Sequence, residues 1–527
     1  MPDTNDAAEV ISFLTDPANH GDPPGGVSRI DTHGAVIVLA GNRAYKLKRR
    51  VAYDFMDFST LEKREHACRR EIELNRRTAP DLYLGLKRII RNAKGALDFA
   101  PEDNDRAIDT IDWVVEMHRF DPAATLDIIA SRHGLPEDFA ARIAPHLLKL
   151  FRDAQSAYPP DETRRMRAVS DGNVADLSHP PHLIPEGRLA AYRTLVTNAL
   201  ERNRALIDRR VANGFVRRGH GDLHLGNIAR IGGDLVIFDA LEFDEDLATV
   251  DILYDIAFLL MDLWTRGEGQ HANDLLGLIC AERQYDSDLD GLALLPIHLS
   301  MRAAVRAKVA HLTSGHLDGD DKARKEHEAR WFFQAAEDFI APTAPHLIAV
   351  GGLSGSGKST VARTLAPDIG TAPGALHLRS DIERKRLAGV APTDRLPPGS
   401  YTPEASALVY DWLMGLAARV LASGHSVVVD AVFAREQERH AIADVAERCG
   451  VAFQGLWLTA PADVLIARAN DRTGDASDAT GDIVRRQLSY DLGTIDWAII
   501  DAAGTTTETL GEARRLVSQL HDKGAEG

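Results

Sequence analysis

The stretch Leu-Ile-Ala-Val-Gly-Gly-Leu-Ser-Gly-Ser-Gly-Lys-Ser-Thr, residues 347–360, decides the fold of the C-terminal part of the chain. It contains the pattern G-x-x-x-x-G-K-[ST], which runs from Gly352 to Ser359. The four apolar residues before the pattern predict a buried strand, and residues 359–365 after it have helical character. A glycine-rich turn between a strand and a helix lets backbone N–H groups converge on phosphate oxygens. The stretch therefore predicts a phosphate-binding loop.

The residue types of this loop suit a triphosphate tail bound to Mg²⁺. Glycines permit a close backbone approach, and the helix N-terminus adds partial positive charge. Lys358 would reach the β- and γ-phosphates, and the Ser359 hydroxyl would hold Mg²⁺. The predicted nucleotide contacts are Gly352, Ser354, Gly355, Ser356, Gly357, Lys358, Ser359 and Thr360.

A second group of polar residues lies far upstream. The segment His-Gly-Asp-Leu-His-Leu-Gly-Asn, residues 220–227, is followed by the apolar strand 235–238 and then by Asp239. Phosphoryl transfer needs positioning and charge neutralisation more than covalent chemistry. One carboxylate near the nucleophile, with an Asn and an Asp on hard metal ions, meets that need.

The pattern H-G-D-L-H-x-x-N, with an aspartate twelve residues after its asparagine, resembles the aminoglycoside/choline/homoserine phosphotransferase family, which is related to protein kinases. The resemblance implies a bilobal kinase-like fold. It also implies that Asp222 orients and deprotonates an acceptor hydroxyl, and that Asn227 and Asp239 hold Mg²⁺.

The N-terminal region supplies a lysine and a glutamate that fit the same family. Residues 35–40 and 43–48 flank a two-residue turn and predict a hairpin, with Lys46 in its second strand. Residues 61–76 predict a charged amphipathic helix that carries Glu71. With the downstream motif present, these two side chains become the predicted phosphate-binding lysine and its partner. No G-x-G-x-x-G precedes the lysine, so any loop that covers the phosphates is atypical.

Further acidic residues follow Asp239. An acidic face near the acceptor site, made of Glu242, Asp244, Asp251 and Asp255, could attract a cationic substrate. The favoured interpretation is a solvated face with acids at a helix N-terminus. Asp251 and Asp255 lie on the next predicted helix, and the family resemblance implies that they brace the catalytic loop.

Beyond the phosphate-binding loop, apolar runs alternate with helices. Strands are predicted at 375–381, 426–430 and 455–458. Uniformly apolar strands separated by helices are typical of a parallel sheet with crossover connections. Such a sheet brings the carboxyl ends of its strands to one edge, where ligands bind.

Residues 345–525 resemble small P-loop kinases, the AAA-type predicted-kinase family related to zeta toxins, gluconate kinase and polynucleotide kinases. The resemblance implies that Asp381 activates the acceptor hydroxyl and that Asp430 is the acid on the metal side. It also implies that Arg472, on a lid, neutralises the transferring phosphate. Four more basic residues could clamp an anionic acceptor: Arg384, Lys385, Arg435 and Arg439.

The predicted fold class is α/β and α+β, a bilobal protein-kinase-like domain followed by a P-loop NTPase domain with a parallel sheet flanked by helices. Prolines 342 and 345 end a helical region and mark the boundary. Residues 158–188, rich in Pro, Asp and Arg, are expected to be irregular. The predicted parts are a polar segment 1–26, a kinase-like domain 27–341 (N-lobe about 27–118, C-lobe about 119–341) and a P-loop kinase domain 346–527.

Composition narrows the class of protein. The 527 residues carry 61 basic and 78 acidic side chains, a formal charge of −17, which disfavours a nucleic-acid or membrane-surface binder. The three cysteines are far apart and lack metal-ligand spacing. The N-terminus lacks the apolar core of a signal peptide, and no apolar run approaches the ~20 residues of a membrane span. A cytoplasmic protein is expected.

These motifs predict a bifunctional ATP- and Mg²⁺-dependent phosphotransferase, in which each half phosphorylates a hydroxyl of a small molecule. One alternative is a catalytic half regulated by a nucleotide-sensing half. Another is a P-loop half that acts as a nucleotide or polynucleotide 5′-kinase.

Overall fold

A computed structural model describes residues 4–32, 34–53, 56–102, 109–282, 289–391, 394–471 and 476–524. Contacts divide the chain into two compact units. The first comprises Met1–Pro159 and Val211–Asp262, and the second comprises Pro160–Arg210 and Leu263–Gly527.

The first unit begins with a helix and a six-stranded antiparallel sheet of order β1-β2-β3-β8-β6-β7. The predicted hairpin is present as β2 and β3. The elements are α1 (Thr4–Thr15), β1 (Val27–Asp31), β2 (Ala35–Ala40), β3 (Arg43–Lys48), β4 (Ala52–Tyr53), β5 (Met56–Asp57), α2 (Leu61–Asn75), β6 (Tyr83–Arg91), β7 (Leu97–Pro101) and β8 (Thr110–His118).

Both faces of this sheet are covered. Side chains alternate along a strand, so β2 sends Val36 and Val38 to one face and Leu39 to the other. The first face packs against Val10 and Leu14 of α1, and the second packs against α2. Helix α2 therefore lies on β6 and β8, and β8 is the neighbour of β3, so that Glu71 of α2 can reach Lys46 of β3.

The chain then alternates between the units. Helices α3 (Leu126–His133) and α4 (Phe139–Asp153) complete the first segment of unit one, and α5 (Glu162–Leu177), α6 (Glu186–Arg202) and α7 (Arg204–Ala212) follow. The loop of residues 220–227 lies among the elements β9 (Val216–Arg218), β10 (Ile228–Ile231), β11 (Asp234–Ile237), α8 (Glu245–Ala248), β12 (Thr249–Asp251) and α9 (Ile252–Thr265).

The expectation of irregular structure over 158–188 is wrong. Residues 162–177 form the sixteen-residue helix α5, capped by Asp161, whose side chain accepts a hydrogen bond from Arg164 N. Its buried stripe includes Thr163, Ser170 and Asn173. Because these buried residues are polar, the hydrophobic periodicity of the sequence does not indicate the helix.

The second unit continues with three helices and the P-loop region. Its elements are α10 (Gly269–Glu282), α11 (Leu295–Ser314), α12 (Gly319–Ile340), β13 (His346–Gly351), α13 (Lys358–Leu365), β14 (Leu376–Arg379), α14 (Ser380–Leu387), α15 (Pro403–Ala422), β15 (Val427–Asp430), α16 (Glu436–Cys449), β16 (Ala452–Thr459), α17 (Ala462–Asn470), α18 (Gly481–Gln487), β17 (Ala498–Asp501) and α19 (Thr506–Gly524).

The predicted parallel sheet is confirmed. Five parallel strands lie in the order β14-β15-β13-β16-β17, and the central β13 is wholly buried. The fifth strand, β17, was not predicted. Because all the strands run the same way, the loop after β13 and the acids after β14 and β15 meet at one edge. The predicted fold class is therefore present in both halves.

Among the described residues, one helix, α15, is long and apolar enough to cross a membrane by length and composition. That is weak evidence, since a core helix passes the same test. Helix α15 packs on β14 and β15, and Trp412 on it donates a 2.8 Å hydrogen bond to Glu383 Oε2 of α14.

Helix α10 binds the P-loop region inside the second unit. The buried Asn273 donates Nδ2 hydrogen bonds to Pro373 O at 3.0 Å and Ala375 O at 2.9 Å. Asp274 holds Arg363, near the end of α13, through contacts of 2.7–3.2 Å. A helix upstream of the predicted boundary therefore braces the helix that follows the phosphate-binding loop.

We expect Asn273→Ala to lower the free energy of unfolding by about 1–3 kcal/mol, because two carbonyls lose a buried donor. Asp274→Ala should cost less than about 1 kcal/mol, because the Arg363 side chain is 42% exposed. Urea denaturation of the full chain measures both. Equal losses, or a larger loss for Asp274→Ala, would contradict this account of α10.

Candidate functional sites

The upstream motif forms a loop of the first unit that holds Asp222 beside Asn227. The Asn227 amide nitrogen donates to Asp222 O at 2.9 Å and to Asp222 Oδ2 at 3.0 Å. His224 Nε2 lies 3.4 Å from the same carboxylate oxygen. The Asp222 side chain is 43% exposed, so its carboxylate is accessible from solvent.

Two buried aspartates of α9 hold this loop in shape. Asp255 accepts hydrogen bonds from His220 N at 2.6 Å and Gly221 N at 2.9 Å, which is the bracing role that the sequence predicts for it. Asp262 accepts from Leu225 N at 3.0 Å. It lies seven residues, two helical turns, after Asp255, and this spacing was the missed signal. Asp251 instead accepts a hydrogen bond from Leu253 N.

His220 supports the loop rather than moving a proton. Its Nε2 lies 3.0 Å from Phe238 O, and its Nδ1 accepts from Asp222 N at 3.3 Å. Burial lowers the pKa of the imidazole, against the opposing effect of Asp255. The ring therefore links the catalytic loop to the segment that leads into Asp239.

Asp239 adopts a left-handed backbone conformation, with φ of 62°. This backbone conformation is strained for a non-glycine residue and persists only where neighbouring residues fix it. Asp239 N donates to Tyr83 Oη at 3.3 Å, and Ala240 N donates to Asn75 Oδ1 at 2.8 Å. The turn directs a carboxylate that remains 40% exposed.

Lys46 and Glu71 meet as predicted. Lys46 Nζ lies 2.8 Å from Glu71 Oε1 and 2.5 Å from Asp239 Oδ1. Burial acts to lower the pKa of Lys46, but Asp239 and Glu71 outweigh it and hold that pKa well above its usual value. The lysine therefore stays charged at the place where a phosphate would need it.

Asn227 and Asp239 fit a hard cation. Asn227 uses its amide nitrogen for Asp222, which leaves its carbonyl oxygen for a metal, and the Asp239 carboxylate is accessible. No group of three or more His, Cys, Asp or Glu suited to a metal occurs among the described residues. Such sparse protein ligands suit Mg²⁺, which takes one or two carboxylates and completes its shell with substrate phosphates and water.

The phosphate-binding loop requires glycine where the sequence has it. Gly352 and Gly355 have φ of 138° and 84°. A Cβ would lie 2.4 Å from Leu458 O at the first position and 2.3 Å from Leu465 O at the second. Strand β16 and helix α17 therefore pack against the loop and leave no room for a side chain at Gly352 or Gly355.

Two polar contacts fix the open side of this loop. Lys358 Nζ donates to Leu353 O at 3.0 Å, so the lysine folds back across its own loop. Ser354 N donates to Gln487 Oε1 of α18 at 2.8 Å. Ser359 is half-buried and Thr360 is exposed at the start of α13.

Asp430 is a buried carboxylate at the end of β15. Its Oδ2 lies 3.5 Å from His377 Nε2 and 3.9 Å from Arg379 Nε, too far for ordinary hydrogen bonds. Burial acts to raise the pKa of Asp430, but His377, Lys358 and Arg379 outweigh it and lower that pKa. A buried anionic oxygen without a close donor fits a cation or its coordinated water. The contribution of His377 was not predicted.

Asp381 lies in the first turn of α14, not at the end of a strand as predicted, because β14 ends at Arg379. Burial raises the pKa of Asp381. Arg379 acts against this, Asp430 adds to it, and a Ser477 hydrogen bond lowers the pKa. An aspartate with a raised pKa is a stronger base than usual, which suits removal of a proton from a hydroxyl.

Most of the four basic residues that were predicted to clamp an anionic acceptor make other contacts. Arg439 is fully buried and donates to Phe433 O, Ala434 O, Leu492 O and Thr494 O. Lys385 is buried and lies 3.1 Å from Asp478 Oδ1. Arg384 donates to Ser400 O and covers the ring of Tyr401, while Arg435 is exposed. Arg472 lies outside the described residues.

Both interpretations of Glu242 are wrong. Its side chain is only 7% exposed, so it forms neither a solvated face nor a surface that attracts a cationic substrate. It pairs with Lys48, which also lies 2.5 Å from Glu71 Oε2. Lys48 was missed, although it lies two residues after Lys46 and so shares its face of β3.

The antiparallel lobe with its ion-paired lysine and the parallel sheet with its phosphate-binding loop define the fold class of the chain: a protein-kinase-like fold together with a P-loop fold. The chain belongs to the same family as the uncharacterized protein Rv2004c of Mycobacterium tuberculosis (strain ATCC 25618 / H37Rv). The two are 30% identical over 499 residues, which is 92% of this chain and 94% of the relative.

Further comparisons match the halves separately. A family model described as an AAA domain matches residues 347–490. A choline/ethanolamine kinase family protein from Mesorhizobium loti covers 64% of this chain and 99% of its own, at 13% identity and a TM-score of 0.36. A gluconokinase from Sinorhizobium meliloti 1021 covers 35% of this chain and 98% of its own, at 24% identity and a TM-score of 0.25. The class assignment rests on the fold and site residues rather than on these two structures.

We expect Gly355→Ala to weaken Mg·ATP binding at the P-loop more than about 10-fold, because a methyl group there meets Leu465 O. Gly415→Ala, on α15 with open space around it, is the matched control and should leave binding unchanged. Calorimetric titration measures this affinity in the full chain with the additional substitution Lys46→Met, which removes nucleotide binding at the kinase-like site. Unchanged affinity in Gly355→Ala would contradict the described loop geometry.

Proposed function

We propose that the chain is a bifunctional phosphotransferase in which each half transfers the γ-phosphoryl group of ATP to a hydroxyl of a small molecule. The kinase-like half is residues 27–341, after the segment 1–26, and the P-loop half is residues 346–527. One observation carries the proposal: each half draws a lysine and two aspartates from separate elements, and these would serve the phosphates, the acceptor and the metal.

In the kinase-like half, Lys46 would bind the phosphates while Glu71 keeps it oriented. Asp222 would accept the proton of the acceptor hydroxyl, and its exposure leaves room for that hydroxyl. Asn227 and Asp239 would hold Mg²⁺, which neutralises charge on the phosphates when bound. The protein contributes chiefly alignment and electrostatic stabilisation.

In the P-loop half, the backbone N–H groups of residues 352–360 would surround the phosphates, and Lys358 would leave Leu353 O to bind them. Asp381 would take the acceptor proton. Ser359 and Asp430 would hold Mg²⁺, and Arg472 would act on the transferring phosphate. Three basic side chains that follow Asp381 already have protein partners: Arg384 donates to Ser400 O, Lys385 lies 3.1 Å from Asp478 and Arg386 lies 3.6 Å from Glu383. This favours a small acceptor over long nucleic acid, whose phosphates need accessible lysine and arginine.

A cytoplasmic, reducing setting is supported by Cys68, Cys280 and Cys449, which form no disulfide within the described residues.

Substitution of the two acceptor aspartates tests bifunctionality. Asp222→Asn should lower transfer to one acceptor class at least 100-fold and leave transfer to the other class unchanged. Asp381→Asn should do the reverse, because each half has its own base. Transfer from labelled ATP to a panel of polyols, amino alcohols and sugar acids measures this. Asp482→Asn, whose side chain is 86% exposed, is the control. A substitution that leaves every transfer unchanged would show that its half is not a catalyst and would favour a sensing role.

A pH profile tests the role of Asp381 as base. Transfer by the P-loop half should fall as the pH drops through the raised pKa of Asp381, above the ~3.9 of an ordinary aspartate. Arg379→Gln should move this limb to higher pH, because the guanidinium favours the charged carboxylate. The pH dependence of kcat/KM measures the shift. A limb that stays in place or moves to lower pH contradicts the assignment.

A further inference from the structure

Five charged side chains of the first unit form one alternating chain. Asp239 pairs with Lys46 at 2.5 Å, and Lys46 pairs with Glu71 Oε1 at 2.8 Å. The other oxygen of Glu71 lies 2.5 Å from Lys48 Nζ, and Lys48 pairs with Glu242. The lysines come from β3 and the glutamate between them from α2. The two end carboxylates come from one loop, three residues apart.

The two ends of this chain differ in exposure. The Asp239 side chain is 40% exposed and that of Lys46 11%, whereas Lys48 and Glu71 are 2% and 0% exposed. The ring of Phe58 covers Lys48, with its centroid 5.4 Å from Nζ. Only the Asp239 end is open, so only Lys46 has a route to a phosphate, and Lys48 has no such route.

We propose that Lys48 is a positioning residue of the kinase-like site, which fixes Glu71 by tying it to Glu242. This inference rests on the proposed function of that half. When a nucleotide binds, Lys46 must exchange Asp239 for phosphate, and Asp239 must turn to the metal. Lys48 keeps Glu71 and the loop that carries Asp239 in place during this exchange, so that neither has to rearrange when the nucleotide binds.

Charge balance supports this role. The five groups carry three negative and two positive charges. Without Lys48, three carboxylates share one lysine, and Glu71 and Glu242 are both buried. An uncompensated buried carboxylate is strongly unfavourable, so Lys46 would be drawn inward and away from phosphate. Affinity for Mg·ATP would fall although every direct phosphate contact is still present.

A pair of variants separates positioning from simple structural support. Lys48→Met leaves Glu242 unpaired, while Lys48→Met/Glu242→Met replaces the pair by apolar side chains, which proteins often tolerate. We expect the single variant to lower the Tm and weaken Mg·ATP binding at least 10-fold. The double variant should regain the Tm but stay at least 10-fold weaker in binding, because Glu71 still lacks its anchor.

Calorimetry and thermal unfolding measure these variants in the full chain with Lys358→Ala, which silences the P-loop site. Lys63→Met is the matched control, since that lysine pairs with Asp57 on the same lobe and is 48% exposed. It should change neither readout. If the double variant regains both Tm and affinity, Lys48 is merely structural and the proposal is overturned. The double variant carries the test even if the single one fails to fold.

Lys46→Met distinguishes the failure of this inference from that of the proposed function. Loss of Mg·ATP binding in Lys46→Met, with unchanged binding in both Lys48 variants, overturns the role of Lys48 alone. Unchanged binding in Lys46→Met overturns the assignment of the kinase-like half itself.

Discussion

Retaining a charged lysine where little water reaches it is the constraint on which the kinase-like site depends. Burial acts to lower the pKa of Lys46, and nearby acidic groups, Asp239 and Glu71 foremost, outweigh that effect. The ion pair therefore does more than join β3 to α2. It preserves a positive charge that a triphosphate can use, and it leaves a carboxylate next to the place where a metal is needed.

The fold meets this constraint through a few rigid connections. Helix α2 lies on the sheet, so Glu71 reaches Lys46, and the strained turn at Asp239 is fixed by Tyr83 and Asn75. In the P-loop half, it is the parallel sheet that brings the lysine and the acids close together. The ends of β13, β14 and β15 meet at one edge. Burial disfavours the charged form of Asp430, but His377, Lys358 and Arg379 favour it and lower its pKa. The kinase-like half places its two aspartates on loops, whereas the P-loop half places Asp430 at the end of β15 and Asp381 in the first turn of α14.

The parts that the sequence could predict are local. The phosphate-binding loop, the upstream motif and the β2–β3 hairpin each lie within a short stretch whose residue types determine the backbone. Lys48 and Glu242, by contrast, are 194 residues apart, and nothing near either one indicates the pairing. Helix α5 was missed because its buried stripe is largely polar. Two of the four basic residues predicted to clamp an acceptor are buried with other partners, Arg439 with carbonyl oxygens and Lys385 with Asp478. Long-range pairing and desolvation decide these cases, and a single sequence records neither.

Two nucleotide sites in one chain are the central claim, and a crystal structure with Mg²⁺ and a non-hydrolysable ATP analogue tests it most directly. The account predicts two analogues per chain. One triphosphate should lie along residues 352–360, and the other beside Lys46, with the ion pair between Lys46 and Asp239 opened and Lys48 unmoved. A single bound analogue at saturating concentration, or a triphosphate placed away from Lys46, would contradict it.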